Sequence, residues 1–308
     1  GQKPKDAAKF VHLLAEQLGV EAGWAVTAYE DVWHYLAKER RLPDNVDARN
    51  SKLDSAEDRA RLAQVFERGL GEAVGFVLPL ERQWWQGKAR WRSGPWPVRT
   101  EALFLLPGDS PIGLRLPLDS LPHVEEGDLR YLGPLDPTAP RASLPDYPGR
   151  IRQQRVPRRE QAADSSPTRE QPTLRAASPD IAPTEVIRTA LCVEPRGGTL
   201  HVFMPPVERL EDYLDLVGAV EATAHELKTP VVLEGYPPPG DHRLGHFKVT
   251  PDPGVIEVNT PPARSWDELV RITTTLYEEA RQTRLGTEKF AYDGKHTGTG
   301  GGNHVVLG

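Results

Sequence analysis

Apolar side chains near the start of the chain recur at the spacing of an α-helix. The first stripe ends at Gly19, which stands where a helix C-cap belongs. Its members are Phe10, Leu13, Leu14 and Leu18. A second helix is predicted over 32–38. A third begins at Ser55 and Asp58, which have the spacing of a capping box, and ends at Gly69.

From Val74 onward the apolar spacing changes to that of strands. Short apolar runs alternate with Gly and Pro, and they predict strands over 74–80, 102–106 and 112–116. Segment 134–183 then loses every periodic signal, because it holds ten prolines, eight arginines and few large apolar side chains. Such a segment cannot bury enough surface to offset the entropy of ordering, so we predict a disordered linker. The alternative is that the arginines make this segment a binding tail rather than a solvated linker.

The rest of the chain is dense in predicted elements. Gly197 and Gly198 predict a tight hairpin, and helical spacing covers 210–227. Three strands are predicted over 230–235, 246–250 and 254–259. A second capping box, Ser265 with Glu268, opens another helix.

This order of elements predicts an α+β fold with a largely antiparallel sheet and helices on one face. The predicted organisation is a lobe of helices and strands at 1–133, the linker at 134–183 and a sheet lobe at 184–308. Because the chain begins with Gly and ends in a strand-like run, we expect it to be part of a longer protein.

Composition narrows the classes of partner. The chain has 308 residues and a formal net charge of −6, which disfavours nucleic acid and anionic membrane surfaces as main partners. The presence of a single cysteine, Cys192, rules out an internal disulfide framework and a cysteine-based zinc cluster. We predict that Cys192 is a core thiol in a strand. No run approaches the ~18 apolar residues of a membrane span. We therefore expect a cytoplasmic protein.

Polar side chains alternate with apolar ones in the later strands, which gives each strand a polar face. If the apolar faces pack on the helices, Glu234, Lys248, Glu257 and Asn259 converge on the opposite face of one sheet. Carboxylate and amide oxygens suit Mg²⁺ or Mn²⁺. The alternative is a solvated sheet face that carries these residues for solubility.

A run of glycines and histidines lies near the end of the chain, at 296–304. It has no Lys after the glycines, so it is not a P-loop, and it lacks the strand–helix context of a dinucleotide fold. Glycines would let the backbone approach a ligand and leave amides for anionic oxygens. A flexible glycine turn is the alternative.

Four stretches of the sequence resemble the bacterial amidoligase family, whose members often follow a transglutaminase-like domain in one polypeptide. They are Gly108-Asp109-Ser110-Pro111-Ile112-Gly113-Leu114-Arg115-Leu116-Pro117-Leu118, Val249-Thr250-Pro251-Asp252-Pro253-Gly254-Val255-Ile256-Glu257-Val258-Asn259, Thr273-Thr274-Thr275-Leu276-Tyr277-Glu278-Glu279-Ala280-Arg281, and 293–307. Outside the linker the resemblance covers nearly the whole chain.

The resemblance implies a curved antiparallel sheet like that of glutamine synthetase and glutamate–cysteine ligase. It also implies Mg²⁺ or Mn²⁺, phosphorylation of a carboxylate by ATP, and attack by an amine of an amino-acid or peptide substrate. The resemblance places metal ligands at Glu257 and Glu234, and its glycine-to-histidine strand at Gly302, Asn303 and His304, with His304 facing ATP or metal. Together with the strand face and the glycine run, this predicts Glu234, Glu257, Asn259 and His304 as metal ligands and Gly300, Gly301, Gly302 and Asn303 as nucleotide-binding residues. Val306 departs from the synthetase pattern, which has a second histidine there.

Three further residues are candidates for catalysis. Lys248 and Arg115 suit a carboxylate or phosphate, since an arginine grips two oxygens at once. His296 precedes the glycine loop. For Arg115 the alternative is a strand residue paired with a surface acid.

The leading hypothesis is therefore an ATP- and Mg²⁺-dependent carboxylate–amine ligase, of which this chain is a partial catalytic domain. The second hypothesis is a non-catalytic module that binds a peptide or carboxylate for an attached transglutaminase-like domain. A third, a nucleic-acid enzyme that uses the arginine-rich segment, requires strongly salt-dependent binding.

Overall fold

The computed structural model describes most of the chain outside its middle. The described residues are 1–31, 34, 55–68, 71–85, 88–97, 102–125, 136, 140–145, 147, 182, 185–252, 255–286 and 288–297. The predicted helix at 32–38 and the predicted linker at 134–183 lie almost entirely outside them.

Helices form where apolar stripes and caps coincide. The described α-helices are α1 (Pro4–Leu18), α2 (Ala56–Arg68), α3 (Leu210–Leu227) and α4 (Trp266–Gln282). Gly19 ends α1 in the left-handed conformation at φ 73°. The backbone N–H of Asp58 donates to Ser55 Oγ at 3.3 Å, and that of Glu268 donates to Ser265 Oγ at 3.2 Å. Within the described ranges, no helix has the length and apolar character needed to cross a membrane.

Strands account for most of the remaining regular structure. Those of the first half are β1 (Val26–Glu30), β2 (Gly75–Pro79), β3 (Glu81–Trp85), β4 (Lys88–Arg92) and β5 (Ala102–Leu105). Those of the second half are β6 (Ala190–Arg196), β7 (Thr199–Met204), β8 (Val231–Gly235), β9 (Lys248–Asp252), β10 (Val255–Asn259), β11 (Lys289–Phe290) and β12 (His296–Thr297).

Six strands form an open, mixed sheet in the order β5-β1-β2-β6-β7-β8. The three inner pairings are antiparallel, but β1 is parallel to β5 and β7 is parallel to β8. The prediction of a largely antiparallel sheet was therefore wrong at both edges. The physical reason at β8 is the crossover through the 18-residue α3, which returns the chain to the end of the sheet where β7 began. The α+β class is confirmed, whereas the expected curvature stays a prediction.

The sheet joins strands from both predicted lobes, because β2 lies beside β6. The boundaries at 1–133, 134–183 and 184–308 stay a prediction. The chain divides into two compact units, Gly1–Gly240 and Asp241–Gly308. The first contains the six-stranded sheet; the second contains the β9–β10 hairpin, α4 and the short β11–β12 pair.

The two faces of the six-stranded sheet are covered differently. Helices α1 and α3 pack on one face through a core that includes Phe10, Leu14, Leu78, Leu191, Val202 and Leu216. The opposite face packs on Trp96 and on segment 112–121, through a core that includes Val77, Leu103, Ile112, Leu116, Cys192 and Phe203. Irregular chain therefore covers the face on which Cys192 lies.

Segment 112–116 is not the strand that its alternation predicted. Ile112–Leu114 is a turn of 3-10 helix, in which Leu114 N–H donates to the Pro111 carbonyl at 2.9 Å. Ile112 and Leu116 are buried but Leu114 is 62% exposed, so the apolar spacing is i, i+4 rather than alternate. The prolines that flank the segment, Pro111 and Pro117, have no N–H to donate to a strand ladder.

Gly113 lies directly against the ring of Phe203, and a Cβ at this position would lie 2.1 Å from Phe203 Cδ1. Gly113→Ala is expected to lower the free energy of unfolding by about 1–3 kcal/mol, because the ring must move in a packed core. Urea unfolding followed by circular dichroism measures it. Gly94→Ala is the matched control, since its Cβ would meet only Ile187 Cδ1 at 3.8 Å. Equal stability of both variants would contradict the close packing.

Candidate functional site

The face of the sheet opposite α1 and α3 carries charged residues of β6 and β8, which lie on either side of β7. Alternation along β6 places Glu194 and Arg196 on the same face as Cys192. Cys192 lies opposite Phe203 of β7, and Phe203 lies opposite Glu234 of β8. Two carboxylates and one guanidinium therefore share a sheet face whose remaining positions are largely apolar.

Arg196 binds both carboxylates. Its Nη1 donates to Glu194 Oε2 at 3.3 Å and to Glu234 Oε1 at 3.4 Å, and its Nη2 donates to Glu234 Oε2. Partial burial lowers the pKa of the Arg196 guanidinium, but the hydrogen bond to Glu234 and the charge of Glu194 outweigh it and raise that pKa. We call these three residues the Glu194–Arg196–Glu234 cluster.

Glu194 is held by the segment that covers this face. The backbone N–H of Ile112 donates to Glu194 Oε2 at 3.3 Å, and Glu194 is only 6% exposed. Gly75 leaves the room for this approach, because a Cβ there would lie 3.0 Å from Ile112 Cδ1 and 2.5 Å from the Val193 carbonyl oxygen. The orientation of the Glu194 carboxylate thus depends on the packing of Ile112.

Cys192 is a buried thiol next to this cluster. It is fully buried in the core, which confirms the predicted core position. Burial raises the pKa of the thiol, and the negative charges of Glu194 and Glu234 raise it further. The thiol therefore stays protonated and unreactive at neutral pH.

Arg115 pairs with a carboxylate inside the same unit. Its Nη1 donates to Glu30 Oε1 at 3.1 Å, its Nη2 donates to Glu30 Oε2, and its Nε donates to the Leu106 carbonyl at 2.7 Å. The side chains of Arg115 and Glu30 are 6% and 13% exposed. The buried guanidinium is thus bound to a half-buried acid rather than a surface acid, and its role toward a substrate stays a prediction.

The prediction that Glu234 shares one sheet with Lys248, Glu257 and Asn259 was wrong. Glu234 lies on β8 of the six-stranded sheet, whereas the other three lie on the separate β9–β10 hairpin. The reason is that β9 and β10 pair with each other in a separate two-stranded sheet, with Asp252 opposite Val255 in the register.

The hairpin does bring three predicted residues together. Lys248 lies opposite Asn259 in the register, and Asn259 Nδ2 donates to Glu257 Oε1 at 3.1 Å. All three side chains are exposed. They form one polar face of the second unit.

His296 lies on the short strand β12, opposite Phe290 of β11. The two rings contact edge to face, with centroids 5.5 Å apart. The other predicted residues of the glycine–histidine run lie outside the described residues: Gly300, Gly301, Gly302, Asn303 and His304.

Sequence reasoning missed Glu194 and Arg196. The available signal was a carboxylate in the middle of an otherwise apolar strand, between Val193 and Pro195, with a second charged residue two positions later. The association of both with Glu234 depends on the register of three strands, and the sequence does not display that register.

The cluster has the donor chemistry for a divalent cation of the Mg²⁺ type. In the parts of the chain that the structure describes, no group of three or more His, Cys, Asp or Glu side chains is placed to hold a metal ion. Mg²⁺ is, however, commonly bound by one or two carboxylates together with waters and substrate phosphates. Glu194 and Glu234 fit that smaller ligand set.

The comparisons with known proteins agree with the resemblance in the sequence. The sequence model of the family described as "Putative amidoligase enzyme (DUF2126)" matches residues 1–308, the whole chain. No curated protein matches the chain, and no solved structure does so either. Because the match extends from end to end, the chain belongs to this family.

Proposed function

We propose that the chain carries the catalytic site of an ATP- and Mg²⁺-dependent carboxylate–amine ligase. The observation that carries the proposal is the Glu194–Arg196–Glu234 cluster, which holds two hard oxygen ligands on one sheet face. Membership of an amidoligase family supports amide formation as the reaction class. The amine and carboxylate are proposed to belong to amino acids or peptides.

The proposed reaction has two steps. A carboxylate oxygen of the first substrate attacks the γ-phosphorus of ATP, the bond between that phosphorus and the ADP oxygen breaks, and an acyl phosphate forms. The amine nitrogen then attacks the acyl carbon, phosphate leaves with the electrons of the C–O bond, and the nitrogen loses a proton. Phosphorylation is needed because a free carboxylate is a poor electrophile.

The chain's own residues would hold and orient the reactants. Glu194 and Glu234 are the proposed cation ligands on the six-stranded sheet of the first unit. Glu257, Asn259 and His304 stay proposed ligands within the second unit. When bound, Mg²⁺ neutralises charge on the transferring phosphate oxygens. Lys248 is the proposed cationic partner of phosphate or carboxylate, and Arg115 is proposed as a second one while it stays paired with Glu30. His296 is the remaining proposed catalytic residue.

The nucleotide and domain partners follow from the family resemblance. The amides of Gly300, Gly301, Gly302 and Asn303 are proposed to bind the ATP phosphates. A fold like that of glutamine synthetase, a transglutaminase-like domain in the same polypeptide and a cytoplasmic location belong to the same proposal.

Glu257→Gln tests the part of the proposal that places a cation ligand in the second unit. We expect ADP release by the full-length protein, with a panel of amino acids and peptides, to fall about tenfold or more, since an amide is a weaker cation ligand than a carboxylate. Glu279→Gln is the matched control, because Glu279 is an exposed glutamate of α4 in the same unit. ADP release is followed by a coupled spectrophotometric assay.

Two results would narrow or overturn the proposal. Unaltered turnover in Glu257→Gln would remove that residue from the site. Peptide binding with no nucleotide binding, measured by calorimetric titration of the full-length protein, would favour the non-catalytic binding module instead.

A further inference from the structure

We infer that the Arg196 guanidinium competes with a divalent cation for the carboxylates of Glu194 and Glu234, and so sets the cation affinity of the site. This inference rests on the proposed function, in which those two carboxylates are cation ligands. It concerns a residue that neither the family description nor the sequence pattern assigns.

The contacts place one positive group on both carboxylates at once. Arg196 reaches Glu194 Oε2 at 3.3 Å, and it binds Glu234 through both terminal nitrogens. A divalent cation binds carboxylate oxygens directly and carries positive charge. The guanidinium and the cation would therefore repel each other and need the same oxygen atoms.

The exposures of the three side chains indicate which partner moves. The Glu194 and Glu234 side chains are 9% and 17% exposed, whereas the Arg196 side chain is 38% exposed. Glu194 is also held by the Ile112 amide. Arg196 has a long side chain with access to water, so it leaves the carboxylates at a lower cost than either carboxylate would leave the sheet face.

The pair of Arg115 with Glu30 shows that a guanidinium–carboxylate contact in this unit need not be exchangeable. Its two side chains are 6% and 13% exposed, and Arg115 Nε is held by the Leu106 carbonyl as well. Opening that pair would leave the buried Arg115 guanidinium without its carboxylate partner. The Glu194–Arg196–Glu234 cluster differs because the Arg196 guanidinium reaches solvent.

The test is direct binding of Mn²⁺, followed by the electron paramagnetic resonance signal of the free ion. We expect Arg196→Gln to bind Mn²⁺ about tenfold more tightly than the wild type, because the internal competitor is gone. Arg196→Lys keeps the charge but loses the two-nitrogen grip, so its affinity should lie between the two. Arg92→Gln is the matched control, since Arg92 is 35% exposed and pairs with Glu81 at 3.2 Å on a different strand pair.

Each outcome distinguishes this inference from the proposed function. Tighter binding by Arg196→Gln with unchanged binding by Arg92→Gln supports competition. Unchanged or weaker binding by Arg196→Gln, with binding lost in Glu194→Gln and Glu234→Gln, overturns the competition and leaves the cation site in place. If the wild type and every variant fail to bind Mn²⁺ while circular dichroism shows them folded, both ideas are overturned.

Discussion

Arg115→Met is expected to lower the free energy of unfolding by about 3–5 kcal/mol, which is the usual cost of removing one partner of a buried ion pair. Glu30 would keep its charge at 13% exposure and lose two hydrogen bonds from the guanidinium. The Leu106 carbonyl would also lose the donor that lies 2.7 Å away. Urea unfolding monitored by far-ultraviolet circular dichroism gives the difference.

Two further variants make this result specific. Glu30→Met combined with Arg115→Met should recover much of the loss, because an apolar pair of similar size leaves no buried charge. Arg92→Met removes an arginine whose side chain is 35% exposed, and it should cost at most about 1 kcal/mol. A loss in Arg115→Met no larger than that of Arg92→Met would mean that the pair is open to water.

Glu194→Gln should reduce ADP release by the full-length protein by at least about 100-fold. This loss exceeds the roughly 10- to 100-fold that is usual when a residue that only hydrogen-bonds a metal ligand is changed. The substitution keeps the size of the side chain and one oxygen for the Ile112 amide, so packing is preserved. It removes the charge that a cation ligand needs. The reaction is measured under saturating ATP and Mg²⁺, with folding checked by circular dichroism.

Glu81→Gln provides the comparison for Glu194→Gln. Glu81 also accepts a hydrogen bond from an arginine, Arg92, at 3.2 Å, but it lies on the β3–β4 pair. We expect its turnover to equal that of the wild type. Full activity of Glu194→Gln would show that the Glu194–Arg196–Glu234 cluster is structural.

Elements with complete local signals were predictable from the sequence. The capping boxes at Ser55 and Ser265 place the first turns of α2 and α4. The tight turn between β6 and β7 uses Gly197 and Gly198 at φ values of 59° and 81°, which few other residues adopt. Each signal depends only on neighbouring residues, so the rest of the fold does not alter it.

Elements whose partners are distant in sequence were not predictable. Strand β1 is short and half-polar, and its pairing with β5 and β2 comes from tertiary packing. Segment 112–116 shows the converse error, because the apolar alternation belongs to a 3-10 turn and the residues after it, in which the buried apolar side chains are Ile112 and Leu116. Local periodicity cannot separate these cases when the segment is only a few residues long.

The candidate site was predictable in part for the same reason. Glu234 was found from its strand, but its partners Glu194 and Arg196 lie two strands away in the sheet. Glu257 and Asn259 share one strand, and their hydrogen bond follows from alternation alone. Contacts between residues of one strand can be predicted from the sequence, whereas contacts between residues of different strands can be predicted only when the register of those strands is known.

The central pairing of β2 with β6 has a consequence for the protein during its synthesis. Phe76 lies opposite Val193, so well over a hundred residues must be made before β2 meets its inner partner. At 5–20 residues per second, that interval is roughly 6–25 s. Throughout that interval one edge of Gly75–Pro79 is available to other strands, so the nascent chain is exposed to wrong strand pairing before the charged face of the sheet exists.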